Sequence, residues 1–225
     1  MSTVDVKSRL IAAAFELFGE SGFEQCTVDH IVARAGVGRT TFFRYFRTKE
    51  DVVFPDHESL LAEVADFLAD DTSAVPLSSV CAAARRVLRY YIAEDDRARA
   101  RFVLSSSVTS LRDREIAVAH QYQRVFRTYL GAQAAPELFS QLVAEVQAST
   151  VVSANNHIIR RWLRGDTDKP LDEFDEAARR LTGMDWATLG NDASSETAPS
   201  SSLIVIETRQ SLDALLPRLR EVLPG

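Results

Sequence analysis

The chain lacks most of what builds a disulfide scaffold, a zinc site or a membrane span. Its 225 residues include only two cysteines, Cys26 and Cys81, and their separation matches no zinc or redox motif. We therefore expect two reduced thiols. No stretch approaches the roughly 18 apolar residues of a membrane span, and the N-terminus has no apolar signal-peptide core. These absences predict a cytoplasmic protein.

Motifs of catalysis are also missing. The four histidines show no HExxH or other metal-binding spacing, and neither of the common glycine-rich phosphate loops is present. Residues 36–40 form only a fragment of such a loop. There is no nucleophile elbow, and the serines at 105–107 fit helix surface or small-residue packing better than chemistry. The sequence therefore predicts neither an enzyme nor a protein with a metal or cofactor.

Charge is distributed unevenly along the chain. The net charge of −6 at first argues against a nucleic-acid partner, because neutralising phosphates dominates DNA affinity. From Arg34 to Lys49, however, there are five basic residues and no acidic one. Residues 1–51 hold seven residues of each sign, so the whole net charge lies after residue 51. An acidic body behind this basic segment would approach DNA only through the segment.

Helical spacing recurs in the N-terminal region, and strand alternation is nearly absent. The first helix should end at Gly22, where a left-handed C-cap fits. Thr27 is a good N-cap for a short second helix that ends at residues 35–37, and a third helix runs from about Arg39 to Phe46. The apolar stripes that place these helices are Ile11, Ala14, Phe15 and Phe18 in the first, and Val28, Ile31 and Val32 in the second.

The pattern continues through a connecting segment into five more helices. Lys49 begins a further helix that forms the connection. Pro55 removes a backbone donor, so this helix should break or kink around Phe54, with a continuation from His57 to about Leu68. Pro136 and Pro170 suit the first turns of the helices that they begin. The five later helices are predicted at Ser78–Ala93, Asp96–Thr109, Leu111–Ala132, Pro136–Arg164 and Pro170–Leu181.

We therefore predict an all-α fold in three parts. Residues 1–50 form an N-terminal three-helix helix-turn-helix DNA-binding domain, and residues 51–188 form a C-terminal helical domain for ligand binding and dimerisation. Residues 189–225 contain a linker rich in Ser, Thr, Ala, Asn and Gly, followed by a C-terminal segment whose structure stays open between extended, helical and partly disordered.

One continuous motif, TVDHIVARAGVGRTTFFRYFRTKE from Thr27 to Glu50, carries the functional prediction. On a helix, Phe42 and Phe46 lie one turn apart and point inward, whereas Thr40 and Arg44 lie on the opposite face. Such a short helix fits a major groove, where Arg can bind guanine bidentately and Thr can contact a base or a methyl group. The preceding helix and the Ala-Gly-Val turn complete a helix-turn-helix.

This motif resembles the TetR/AcrR family of transcriptional regulators, through the opening Thr, the Ala-Gly-Val turn, the run Thr-aromatic-aromatic-x-aromatic-Phe and the Lys-Glu pair. The resemblance covers residues 8–54 closely and the rest only as an all-helical body. Gly38 replaces the usual Ser cap, and Val32 stands where Ala is common. The resemblance implies DNA contacts by Thr27, Arg39, Thr40, Thr41, Phe43, Arg44, Tyr45 and Lys49.

The family resemblance also implies partners. We expect a homodimer on a palindromic double-stranded DNA operator, with the helices at Pro136–Arg164 and Pro170–Leu181 packed against their symmetry mates. A small effector would release the DNA, and whether the output is repression or activation stays open. The body resembles the subset of the family that includes the regulator of the mycofactocin system, through residues 54–57, 111–115 and 162–165.

Several body residues are candidates for an effector pocket that takes an apolar or acyl-bearing ligand. They are Phe54, His57, Tyr90, Phe102, Tyr122 and Asn155. Asn155 interrupts an apolar stripe formed by Leu138, Leu142, Val146, Val152, Ile159 and Trp162. A buried amide needs a partner from a ligand or a second subunit, although a satisfied Asn and ordinary aromatic core packing are the alternatives. The alternative function is a helical protein-binding adaptor without salt-sensitive DNA affinity.

Overall fold

The structure is a computed structural model that describes residues 3–186, and the predicted linker and C-terminal segment lie outside this range. Within it the chain forms nine α-helices and one 3₁₀ helix with no strand, which confirms the all-α prediction. The helices are α1 (Thr3–Ser21), α2 (Val28–Ala35), α3 (Arg39–Tyr45), α4 (His57–Ala69), α5 (Pro76–Glu94), α6 (Asp96–Ser107), α7 (Thr109–Gln133), α8 (Leu138–Arg164) and α9 (Pro170–Thr182). None of these helices is long and apolar enough to cross a bilayer.

The first three helices pack around a small core and form the predicted helix-turn-helix. The Thr27 hydroxyl accepts a hydrogen bond from the backbone N–H of His30 at 3.2 Å, which confirms the N-cap of α2. Gly36 ends that helix in the left-handed region, with φ of 66°, where a side chain would be strained. Phe42 and Phe46 are buried, as predicted, and they determine which side of α3 faces the core.

The connection to the body bends after the 3₁₀ helix, near Phe54, where the presence of Pro55 predicted a break. A 3₁₀ helix at Glu50–Val52 precedes the bend, and α4 begins at His57. Val52, Val53 and Phe54 are buried in the core of the first three helices. This core also receives Leu111 from α7, with Leu104 and Val108 beside it, so the corner between α6 and α7 packs directly against the helix-turn-helix.

Helices α4 to α9 surround a second, larger core, and α8 is its longest element at 27 residues. Pro170 lies in the first turn of α9 as predicted. The same prediction for Pro136 is wrong, because α8 begins only at Leu138. The Gln141 side chain donates to the carbonyl groups of Gly131 and Ala135, both at 3.1 Å, and this holds the α7–α8 turn in a non-helical form.

The apolar stripe predicted along α8 divides into two halves. Val152, Ile159 and Trp162 are buried, as a stripe facing the core should be. Leu138, Leu142 and Val146 are instead exposed, by 79%, 51% and 39%. The first half of the helix therefore presents its apolar side to the outside of this protomer.

Candidate nucleic-acid interface and ligand cavity

Helix α3 presents the predicted DNA-contacting residues on its outer side. Arg39, Thr40, Phe43 and Arg44 are exposed, and Thr41 and Tyr45 are partly exposed. Gly38 precedes the helix as its N-cap and has no side chain that could accept from the first N–H groups of the helix. The opposite side is anchored by Phe42, which is fully buried. The arrangement offers a short, polar, positively charged ridge.

The two arginines of α3 differ in their partners. Arg39 Nη1 donates to Asp29 Oδ1 at 2.6 Å, so a carboxylate already balances its charge. Arg44 Nη2 donates instead to the Tyr45 hydroxyl at 3.2 Å, and its guanidinium lies 5.1 Å from the centre of the Tyr45 ring. Tyr45 thus orients Arg44 without neutralising it, which leaves the charge available for an acceptor on DNA.

Arg34 is engaged within the protein. Its guanidinium lies 3.3 Å from Glu16 and 2.7 Å from Glu20, and it ties α2 to α1. The hydrogen bond from Arg34 lowers the pKa of the Glu20 carboxyl group. Arg34 therefore stabilises the packing of the helix-turn-helix domain formed by α1 to α3, which we call the reader. It does not belong to the exposed ridge of α3.

Lys49 has a structural role that sequence reasoning missed. Its Nζ donates to the carbonyl groups of Phe23 at 2.7 Å and Cys26 at 2.9 Å, and it lies 4.1 Å from the centre of the Phe23 ring. The ammonium group closes the loop that leads to Thr27, the N-cap of α2. Only the family motif marked Lys49 in the sequence, and nothing in its local pattern indicated this loop.

A cavity of about 260 Å³ lies in the body, between α5, α6, α7 and α8. Its lining is mainly apolar. It contains four of the six predicted ligand-binding residues, which are Phe54, Phe102, Tyr122 and Asn155. The rim includes the exposed side chains of Ile116, His120, Ser153 and Arg160.

His57 and Tyr90 do not line this cavity. They border a much smaller space, which shares Phe54 and Tyr122 with the main cavity. His57 contacts the side chain of Gln121 by a hydrogen bond and the Tyr122 ring edge-on, at 5.6 Å between ring centres. Burial lowers the pKa of the His57 imidazole. These two residues lie behind the cavity wall rather than in it.

Asn155 is the most informative polar group of the cavity. Its side chain is 5% exposed, and its Oδ1 has no hydrogen-bond partner within residues 3–186. Asn155 is therefore buried rather than on the surface, and its amide oxygen has no protein donor in this range. An unpaired buried polar atom is uncommon and calls for a physical explanation.

Arg101, which the sequence reasoning did not select, is a second buried polar residue in the cavity wall. Its Nε donates to the Val53 carbonyl at 2.8 Å, and its guanidinium pairs with Glu94. The Phe54 and Tyr91 rings lie 5.7 and 5.4 Å from its Cζ. A sequence signal existed, because Arg101 is spaced with Ala98 and Ser105 on the buried side of α6.

The connecting segment is held from several directions at once. Lys7 of α1 donates to the Pro55 carbonyl at 3.0 Å and to Asp56 Oδ1 at 2.8 Å. The Tyr90 hydroxyl of α5 donates to Asp56 Oδ2 at 3.2 Å. Together with the bond from Arg101 to Val53, these contacts link two helices of the cavity wall to the segment that ends the reader.

Comparison with known proteins agrees with this geometry. The sequence model of the TetR family of bacterial regulatory proteins matches residues 10–64. The chain is also 25% identical to the mycofactocin biosynthesis transcriptional regulator MftR of Mycobacterium tuberculosis, over 158 residues that cover 68% of this chain and 78% of that protein.

Solved structures share the fold. The fatty acid degradation regulator FadR from Bacillus halodurans superposes with a TM-score of 0.54 at 20% identity, covering 81% of this chain and 96% of that one. FadR from Bacillus subtilis in complex with stearoyl-CoA gives 0.52 at 18%, with coverage of 78% and 97%. The SmeT–triclosan complex gives 0.52 at 17%, with coverage of 90% and 99%.

The helix-turn-helix and the helical body define a DNA-binding transcriptional regulator. The match of residues 10–64 to the TetR family model agrees with the family resemblance of the motif from Thr27 to Glu50.

The contacts of Lys49 generate a prediction about stability. Lys49→Met should lower the free energy of unfolding by roughly 1.5–3 kcal/mol, because two carbonyl groups lose a charged donor. Urea denaturation measures this. Arg47→Met, which removes the same charge from an exposed side chain, is the control and should change stability by less than about 0.5 kcal/mol. Equal effects of the two substitutions would show that the Lys49 contacts contribute nothing.

Proposed function

We propose that the protein is a transcriptional repressor that binds a palindromic operator as a homodimer and leaves it when a small, largely apolar molecule occupies the body cavity. The observation that carries the proposal is the cavity itself, whose wall includes Arg101 and Phe54 and so reaches the connecting segment of the reader. Because its target is operator DNA, the protein would act in the cytoplasm. A helical adaptor without DNA affinity is the alternative.

The ridge on α3 supports direct readout of bases. Arg44 and Thr40 lie at its front and would specify sequence in the major groove. Arg39, Thr41, Phe43 and Tyr45 would position the helix against the groove walls and the phosphates, and Arg39 would exchange Asp29 for a DNA acceptor. Thr27 and Lys49, at the loop before α2 and at the start of the connection, would contact the backbone in addition to their structural contacts.

Arg44→Ala tests this assignment. It should weaken binding to the selected operator by roughly 1–3 kcal/mol and relax base preference at one position of each half-site. Selection of DNA from a random library, followed by titration at two salt concentrations, gives both quantities. Arg34→Ala removes the same charge from the scaffold and should leave the selected sequence unchanged. An unchanged sequence for Arg44→Ala as well would exclude it as a base-reading residue. No salt-sensitive binding in the unmodified protein would favour the adaptor.

The exposed half of α8 supports a dimer face. Leu138, Phe139, Leu142 and Val146 lie in the first nine residues of α8 and are exposed by 39–79%. Contiguous apolar surface of this kind marks interaction sites. By family resemblance, α8 and α9 of two protomers would form a four-helix interface, which sets the spacing of the two readers on a palindrome.

The double substitution Leu142→Glu and Val146→Glu should therefore give a monomer of 25 kDa at micromolar concentration and abolish operator binding. Light scattering coupled to gel filtration measures the mass. Val103→Glu, at a position on α6 that is 66% exposed, provides the matched control and should remain a dimer. A double variant that stays dimeric would place the interface elsewhere.

The contacts of the connecting segment indicate how occupancy of the cavity reaches the reader. A ligand shifts an equilibrium only by its difference in affinity for two states, and a swing from 1:99 to 99:1 needs a ratio of roughly 10⁴. A molecule packed against Phe54 and Arg101 would favour a different position of Val53. Since Asp56 is bonded to both α1 and α5, a change there would move the reader as a unit.

A screen of hydrophobic metabolites and acyl thioesters for thermal stabilisation and operator release comes first. Tyr90→Phe then tests whether the hydrogen bond between Tyr90 and Asp56 couples the cavity to the reader. The variant loses only the hydrogen bond to Asp56, so it should bind operator and ligand but need a higher ligand concentration for release. Tyr129→Phe, which loses a similar bond to Asp71 at 2.6 Å, should respond like the unmodified protein. Release at the same concentration in both variants would exclude the Tyr90 contact from the coupling. A screen without any releasing compound would contradict the effector proposal.

A further inference from the structure

Within residues 3–186, the cavity wall contains one buried polar group without a partner. The Asn155 amide lies in the wall between Val152 and Ile159, which are both apolar and buried. An acceptor removed from water with no donor nearby is unfavourable, so a fold that needed no ligand would be more stable with an apolar residue here. The amide is therefore placed for a group that arrives from outside the protein.

The charges of the cavity wall constrain what that group can be. Arg101 is buried, but Glu94 already balances its charge and Val53 accepts from its Nε. The remaining charged groups of the lining are Glu115, which is partly exposed, and Arg160, which is exposed at the rim. A carboxylate carried to the depth of Asn155 would lose its hydration and meet no unbalanced positive charge in the described lining.

We infer that the effector is an uncharged, mainly apolar molecule with one hydroxyl or carboxamide group, which enters polar end first and forms a hydrogen bond with Asn155. The inference rests on the proposed function, in which this cavity holds the effector. A side-chain amide offers both an acceptor and donors, so it matches either group. An alkyl halide lacks a comparable hydrogen-bonding group, and a carboxylate brings a charge.

Four probes with the same chain of about eight carbons separate these possibilities, and the length suits a cavity of this volume. They are octanol, octanamide, chlorooctane and octanoate. Calorimetry on the 225-residue protein gives their affinities, and fluorescence anisotropy of labelled operator gives release. We expect octanol and octanamide to bind roughly 5–30 times more tightly than chlorooctane, and octanoate to bind most weakly.

Asn155→Leu should bring the ratio between octanol and chlorooctane to about one while chlorooctane still binds. The ligand-free variant should keep or raise its Tm, because Asn155 Oδ1 accepts no hydrogen bond from any group within residues 3–186. Asn156→Leu is the matched control, since Asn156 is the neighbouring, partly exposed asparagine of the same lining, and should keep the preference for octanol. If Asn155→Leu lowers the Tm, Asn155→Val makes the same test with a smaller side chain.

The possible failures are distinguishable. Equal affinity of the unmodified protein for octanol and chlorooctane would overturn the inference and leave the proposed function intact. Octanoate binding most tightly, with that binding lost in Arg160→Gln, would also overturn it, because the polar end would then lie at the rim. If no probe bound or released DNA while other compounds from the screen did, the cavity would take a different class of ligand. If no compound of either set did so, the proposed function would fail as well.

Discussion

Arg101 carries its charge at a position that is only 5% exposed, and three parts of the chain meet at the groups that balance this charge. Glu94 comes from α5, the Val53 carbonyl from the connection, and Arg101 itself from α6. Removing one partner of such a pair leaves a buried, uncompensated charge and costs roughly 3–5 kcal/mol. While the pair is intact, α5, α6 and the end of the reader therefore have one preferred relative position. Arg101 also lines the cavity, so an occupant of the cavity would lie beside the residue on which that position depends.

The reader could be predicted from the sequence because its determinants are local. Thr27 caps the helix that follows it through the N–H of His30, three residues away, Gly36 ends that helix, and Phe42 and Phe46 are spaced by one turn. The roles of Lys49 and Arg101 could not be predicted in this way, since Lys49 binds a carbonyl 26 residues earlier and Arg101 one 48 residues earlier. Such contacts exist only after the helices have packed, and the periodicity of a single helix carries no information about them.

The body shows where periodicity is ambiguous. The stripe along α8 had the spacing of a core-facing surface, yet Leu138 and Leu142 face outward. An apolar stripe is equally compatible with a core and with a second protomer, and only the position of the neighbouring helices decides between them. The candidate pocket residues border two different spaces for a related reason. Tyr122 lies between two spaces, and residues predicted for one pocket border either the cavity or the smaller space behind it.

The reader's core is completed by side chains from outside the reader, namely Leu111 with Leu104 and Val108 at the corner between α6 and α7. Because of this arrangement, the reader cannot be exchanged freely as a separate module. A reader from another regulator could be exchanged for this one only if its core accepted the same corner, and the first three helices taken alone would expose the apolar surface that Leu111 now covers. Changes in operator preference are thus easiest on the outer side of α3, where Thr40 and Arg44 can vary without disturbing that shared packing.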